Sequence, residues 1–151
     1  MIKKIIYTIL LVLWMIVIFL FSNQNSTTSQ STSDKVASGI VDTVQTVTKQ
    51  EITKEKKDSF IDNTRVLIRK SAHFMLYFVL GILVYLTLSS YSVPKTVLVS
   101  IIFCFIYACS DEVHQMFLNG RTGKITDVCI DTIGSSLAIG ISYYIKKYFK
   151  R

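Results

Sequence analysis

Four stretches of the chain are almost continuously apolar, and the polar residues gather between them and at their ends. The first, Ile5 to Phe21, holds one polar residue, Thr8. The second runs from Ala72 to Leu88, the third from Val93 to Ser110 and the fourth from Val128 to Ile145. Each approaches the ~17–25 residues a helix needs to cross a bilayer. The fourth is the weakest, because Asp131 and several serines interrupt it. Its Gly134, Ser135, Ser136, Ala138 and Gly140 set small residues four apart, at 134/138 and 136/140. That spacing lets helix backbones approach closely in lipid. The expected fold class is all-α: one domain over 1–151, a four-span transmembrane helical bundle with spans about 5–22, 72–90, 93–112 and 127–145. A soluble all-α bundle is the alternative, but four such runs leave no polar face for water.

The first run is longer than the ~7–15-residue core of a signal peptide, and no small-residue cleavage site follows it. It is read as an uncleaved first span. A polar segment, residues 23–70, separates it from the second span. This segment opens on a Ser/Thr/Gln/Asn-rich linker. Val36, Ile40, Val41, Val44 and Val47 then recur at helical spacing after Ser33 or Asp34, either of which suits an N-cap. After a charged stretch, Phe60, Ile61, Thr64, Leu67 and Ile68 form an apolar stripe. One or two amphipathic helices are expected here, lying on the bilayer surface or over the bundle. A partly ordered, solvated loop is the plainer reading.

Composition changes the picture at two points. Half of the 151 residues are hydrophobic and 18% are charged, which excludes a wholly disordered chain. The net charge of +7 suggests nucleic acid, but the grouping of the apolar residues gives it another explanation in membrane topology. No nucleic-acid partner is expected; membrane lipids are. Cys104, Cys109 and Cys129 lie in or beside the spans, are odd in number, and match no zinc motif.

Four spans put both termini on one side. The termini and the 2–3 loop carry Lys3, Lys4, Lys95, Lys146, Lys147, Lys150 and Arg151, with no acid among them. The long 1–2 loop carries eight Lys/Arg mixed with six acids. Short basic flanks are the stronger signal. Both termini are therefore expected in the cytoplasm, and the long loop outside.

On that topology the unusual polar residues of the spans meet at the outer face. Span 1 ends in Ser22, Asn23 and Gln24. Span 2 opens with Arg69, Lys70 and His73, span 3 closes with Asp111, Glu112, His114 and Gln115, and span 4 opens with Asp127 and Asp131. The 3–4 loop adds Gly120, Arg121, Gly123 and Lys124. Ionisable groups at membrane depth are costly and mark a candidate site. Arg69 with His73, His73 with Tyr77, and Asp127 with Asp131 share helix faces at i, i+4. Two histidines and several carboxylates suit acid/base work or a divalent metal, and Arg69, Lys70 and Arg121 suit a phosphate or carboxylate. Each also has a structural reading. His73 and Tyr77 satisfy each other, Asp111, Glu112 and Arg121 lock the loop, and Asp131 pairs with His114 or an arginine. No HExxH-like spacing marks a metal site, and no metal ligand set or cofactor is assigned.

R-K-S-A-H-F-M-L-Y-F-V-L-G (69–81) and Y-A-C-S-D-E-V-H-Q-M-F-L-N-G-R-T-G-K-I-T-D-V-C-I-D-T-I-G (107–134) resemble the VanZ-like family of bacterial multi-pass membrane proteins. F-S-N-Q at the end of span 1 resembles its F-S-x-Q element. Asn119 stands where many members have proline. The resemblance implies a protein of the cytoplasmic membrane, linked through the name-giving member to low-level teicoplanin resistance. It carries over Lys70, His73, Tyr77, Asp111, Glu112, His114, Gln115, Arg121, Asp127 and Gly134.

Three functions compete. The first is a binding protein whose outer polar pocket takes a lipid-linked cell-wall precursor or a lipoglycopeptide, with Lys70, His73, Tyr77, Gln115, Arg121 and Asp131 as ligand contacts. The second is an intramembrane hydrolase or transferase acting on a lipid phosphate or acyl bond. Its catalytic candidates are His73, Asp111, Glu112, His114 and Asp127, with His114 as base or nucleophile oriented by Asp111 or Asp127. The third is a structural bundle locked by its polar cluster.

Overall fold

The computed structural model describes residues 1–23, 35–36, 38–40, 43, 46, 54–117 and 123–149; at 54–58, 60, 62, 63 and 65 it describes the backbone alone. Four long helices make up the bundle: α1 (Ile2–Ser22), α2 (Lys54–Ser90), α3 (Thr96–Met116) and α4 (Ile125–Phe149). Each contains a stretch long and apolar enough to cross a membrane, which in α2 covers Val66–Ser90. No strand occurs among the described residues. The chain is thus the four-span α-helical bundle its apolar runs imply.

The helix ends differ from the expected boundaries for local reasons. No glycine or proline stands between Lys54 and Leu80 to break α2. Its 37 residues therefore form a rod of about 55 Å, longer than the ~30 Å hydrocarbon core. The stripe expected from Phe60 to Ile68 is helical, but as part of the same helix that carries span 2 rather than a separate helix. Its Ile61, Thr64 and Ile68 are half-buried, while Leu67 is exposed. Residues 35, 36, 38–40, 43 and 46 are also helical, with Val36 and Ile40 exposed; Val41, Val44 and Val47 lie outside the described residues. The start of α3 moves from Val93 to Thr96. Pro94 has no N–H to donate, and Ser92 and Lys95 adopt left-handed backbone with φ of 58° and 51°. The Thr96 hydroxyl closes the turn by donating to the Val93 carbonyl at 2.5 Å.

α2 packs against the other three helices and supplies much of the core, with Tyr77, Leu80, Val84 and Tyr85. Ile18 of α1, Cys104 and Ala108 of α3 and Ile139 of α4 complete it. α2 and α4 approach so closely that a methyl group at Gly81 would lie 2.5 Å from the Ser135 carbonyl oxygen, and one at Gly134 2.7 Å from that of Phe74. The expected small-residue row at 134/138 is buried in this seam. The row at 136/140 is not, because a methyl group at Gly140 would meet nothing within 4 Å.

Only 11% of the apolar stretch of α1 is buried, against 33% for α2 and for α4. α1 is therefore an edge helix, its exposed Ile, Leu and Phe side chains suited to lipid. Among the described residues, two side-chain-to-backbone hydrogen bonds tie its middle to the bundle. The Trp14 indole N–H donates to the Leu76 carbonyl at 2.9 Å, and the Tyr107 hydroxyl donates to the Met15 carbonyl at 2.8 Å.

Candidate functional site

The end of α1, the membrane-entering part of α2, the end of α3 and the start of α4 meet at one end of the bundle. Their polar residues sort into three groups with different partners.

The outermost group is an ion pair. Arg69 donates to Asp127 at 3.2 Å; the arginine side chain is 37% exposed and the carboxylate 11%. One helical turn deeper, His73 Nδ1 lies 3.5 Å from Asp131 Oδ2. The two pairs are rungs of one ladder. Residues 69 and 73 on α2, and 127 and 131 on α4, are each four apart, and both helices run inward from this end. Four residues of helix rise about 6 Å, so the second rung lies well below the rim. Among the described residues Asp131 thus pairs with His73, rather than with His114 or an arginine.

The second group ties down the connection between α3 and α4. Glu112 Oε1 accepts the backbone N–H of Lys124 at 2.5 Å. That amide precedes α4, where a carboxylate also meets the positive end of the helix dipole. Glu112 is therefore part of the expected loop lock, whereas Asp111 is engaged elsewhere. Arg121, the third expected member of that lock, lies outside the described residues, as do Gln24, Asn119 and Gly120.

The third group is the inner cluster. Asp111 accepts a hydrogen bond from the Ser22 hydroxyl at 2.8 Å and another from Gln115 Nε2 at 3.1 Å. Gln115 also donates to Ser22 at 3.3 Å. His73, Asp111 and Asp131 each bring one donor atom into a space where all three lie within 4.8 Å of one another. Three helices deliver these atoms: α2, α3 and α4. Asp111 is 7% exposed and Asp131 2%. Tyr77, one turn below His73, is fully buried, and its ring lies 6.2 Å from that of Tyr107. Among the described residues, the Tyr77 hydroxyl and Asp131 Oδ1 are buried without a hydrogen-bond partner.

His114 stands apart from this centre. Its ring packs on Phe19 with centroids 4.9 Å apart, and its buried Nε2 has no hydrogen-bond partner among the described residues. The histidine paired with a carboxylate is His73. Lys70 is half-buried at the same end of the bundle.

The other end has a different chemistry. Lys4 lies over the Tyr91 ring at 5.1 Å, Lys146 donates to Ser89, and Lys147 lies 6.0 Å from the Tyr143 ring centroid. A largely apolar groove of about 540 Å3 opens there, lined by Tyr7, Phe78, Ile82 and Ile145 with Lys3 and Lys146. Basic and aromatic residues of this kind suit a membrane–water interface.

The VanZ/LLP1 family model matches residues 7–146. The chain belongs to the VanZ/LLP1 family. No curated protein and no solved structure matches it. The matched region of this VanZ/LLP1 member contains both rungs, the Glu112 tie and the whole inner cluster. Two residues that sequence reasoning passed over matter to this geometry. Gly81 sets the α2–α4 distance, and Tyr107 joins the tyrosine pair to α1. Gly81 closes the 69–81 motif as a glycine within an apolar run, and Tyr107 opens the 107–134 motif, but nothing in their spacing pointed to these contacts.

Proposed function

We propose that this VanZ/LLP1 member binds the charged headgroup of an amphiphile, a lipid-linked cell-wall precursor or a lipoglycopeptide, at the polar end of its bundle, and so alters glycopeptide susceptibility. The reading sets that end outside the cytoplasmic membrane of a bacterium, with both termini inside. The observation that carries it is the inner cluster itself. Two buried carboxylates and a half-buried histidine converge there, and among the described residues Asp131 Oδ1 and the Tyr77 hydroxyl are hydrogen-bonding atoms left over. A purely structural lock would leave none over, because an unsatisfied buried polar group costs ~1–3 kcal/mol. The half-exposed guanidinium of Arg69 and the half-buried Lys70 supply positive charge at the rim for a phosphate or carboxylate.

The test is a binding titration. The full chain in nanodiscs is titrated with a fluorescent undecaprenyl-pyrophosphate-linked precursor and, separately, with labelled teicoplanin. Saturable binding of either, weakened at least tenfold by Arg69→Ala combined with Lys70→Ala, is expected. Binding of neither ligand removes the reading.

The His73–Asp131 pair also favours a second reading, an intramembrane hydrolase or transferase. A histidine held by a carboxylate is a suitable acid/base, and in that case His73 rather than His114 is the base. Release of phosphate or of an acyl chain from the labelled precursor, abolished by His73→Ala, would support it.

A further inference from the structure

We propose that His73, Asp111 and Asp131 bind a divalent metal ion, Zn2+ or Mn2+, between α2, α3 and α4.

The first observation is the donor geometry. One imidazole nitrogen of His73 and one carboxylate oxygen from each aspartate lie within 4.8 Å of one another. Donors at the usual ~2.0–2.2 Å from a zinc ion, arranged tetrahedrally, lie about 3.4 Å apart. The 3.5 Å between His73 Nδ1 and Asp131 Oδ2 fits that spacing as it stands. The widest separation closes with a small side-chain movement. One imidazole and two carboxylates form a borderline-to-hard donor set, suited to Zn2+ or Mn2+ and unsuited to Cu+.

The second observation is independent of the cluster's composition. Asp131 Oδ1 and the Tyr77 hydroxyl belong to residues 2% and 0% exposed, and neither has a hydrogen-bond partner among the described residues. A bound ion, with the water it carries, gives both of them something to bind.

Charge points the same way. Asp111 and Asp131 are both buried, and ionised carboxylates in a low-dielectric interior need compensation. Arg69 does not supply it, since it is engaged with Asp127 at the rim. A dication offsets both charges.

The surroundings resemble the outer shell of a metal site. Ser22 and Gln115 both donate to Asp111 Oδ2 and to each other's network, which fixes that carboxylate. Such outer partners orient metal ligands, and losing one typically weakens metal binding about 10–100-fold. The assignment deepens the site proposed above, since an ion here would meet a phosphate or carboxylate oxygen of the amphiphile. It does not depend on that reading for its test, because metal is measured in the absence of any amphiphile.

The full chain is purified in mild detergent with its affinity tag removed, stripped with EDTA and passed into metal-free buffer. Zn2+ and Mn2+ are then titrated separately, with bound metal read by elemental analysis after desalting and the thermal midpoint followed in parallel. The expected result is one ion per chain for at least one metal, with a raised midpoint. His73→Ala and Asp131→Asn should each weaken binding at least tenfold, and Gln115→Ala about tenfold, while Gly140→Ala, at a position facing open space, leaves it unchanged. Gln115→Ala keeps all three ligands, so it reports on the site even where a ligand variant fails to fold. Wild-type protein that binds neither ion overturns the assignment. So does binding that survives His73→Ala and Asp131→Asn, or that is unchanged by Gln115→Ala where those variants fail to fold.

Discussion

Asp127 and Asp131 are one helical turn apart on α4, yet their surroundings give them different tasks. Asp127 faces a guanidinium at the rim that is 37% exposed, so water screens the arginine side of the pair. A double-mutant cycle on Arg69→Ala and Asp127→Ala, read by thermal or denaturant unfolding in detergent, should give a coupling of ~0.2–1 kcal/mol. Asp111 is the opposite case, because its hydrogen bonds from Ser22 and Gln115 are buried. Hydrogen bonds to charged groups contribute ~1.5–3 kcal/mol. Ser22→Ala should therefore lower stability by about that amount, a larger fall than Arg69→Ala, measured on the same purified protein. Equal effects would mean that the inner cluster is as wet as the rim. The residues of both rungs were legible in the sequence, since 69/73 and 127/131 are each spaced by four. Their pairing was not. Spacing along a helix says which side chains share a face, and says nothing of which neighbouring helix that face meets.

At the scale of elements, the close seam between α2 and α4 decides where His73 and Asp131 stand. Its determinants are glycines, and the two glycines of α4 separate cleanly. Gly134 backs onto the Phe74 carbonyl, whereas Gly140 faces open space. Gly134→Ala should push the helices apart at a cost of ~1–3 kcal/mol. Gly140→Ala should be neutral or slightly stabilising, because alanine is the better helix former by ~1 kcal/mol. Membrane abundance and thermal midpoint measure both; a harmless Gly134→Ala would contradict the seam. The four spans themselves were readable because apolar length is a property of each segment alone. The small-residue rows were readable only as candidates. Rotation of α4 about its axis buries 134/138 and turns 136/140 outward, and both rows satisfy the same spacing rule. The merging of the Phe60–Ile68 stripe into α2 was hidden for a related reason. A change from polar to apolar composition looks like a boundary, while the backbone continues through it for want of a breaker.

At the scale of the whole molecule, the two ends of the bundle divide the chemistry. Four acids with histidine, tyrosine and glutamine lie at one end, and lysines with tyrosines at the other. The +7 net charge read as a single number conceals this. The basic termini and the 2–3 loop account for all of it, and the remainder of the chain is neutral in sum. That asymmetry underlies the proposed orientation. A periplasm-active reporter fused after Arg151 should stay inactive while a cytoplasm-active one works; the reverse would place the acidic end inside. On the proposed function, the buried acidic end serves a ligand rather than merely holding helices together. The most direct measurement is the teicoplanin susceptibility of a sensitive Gram-positive host expressing Asp131→Asn at the membrane abundance of the unmodified chain. The unmodified chain should raise the minimum inhibitory concentration several-fold, and Asp131→Asn, equally abundant, should not. Full protection by Asp131→Asn would contradict the proposed function.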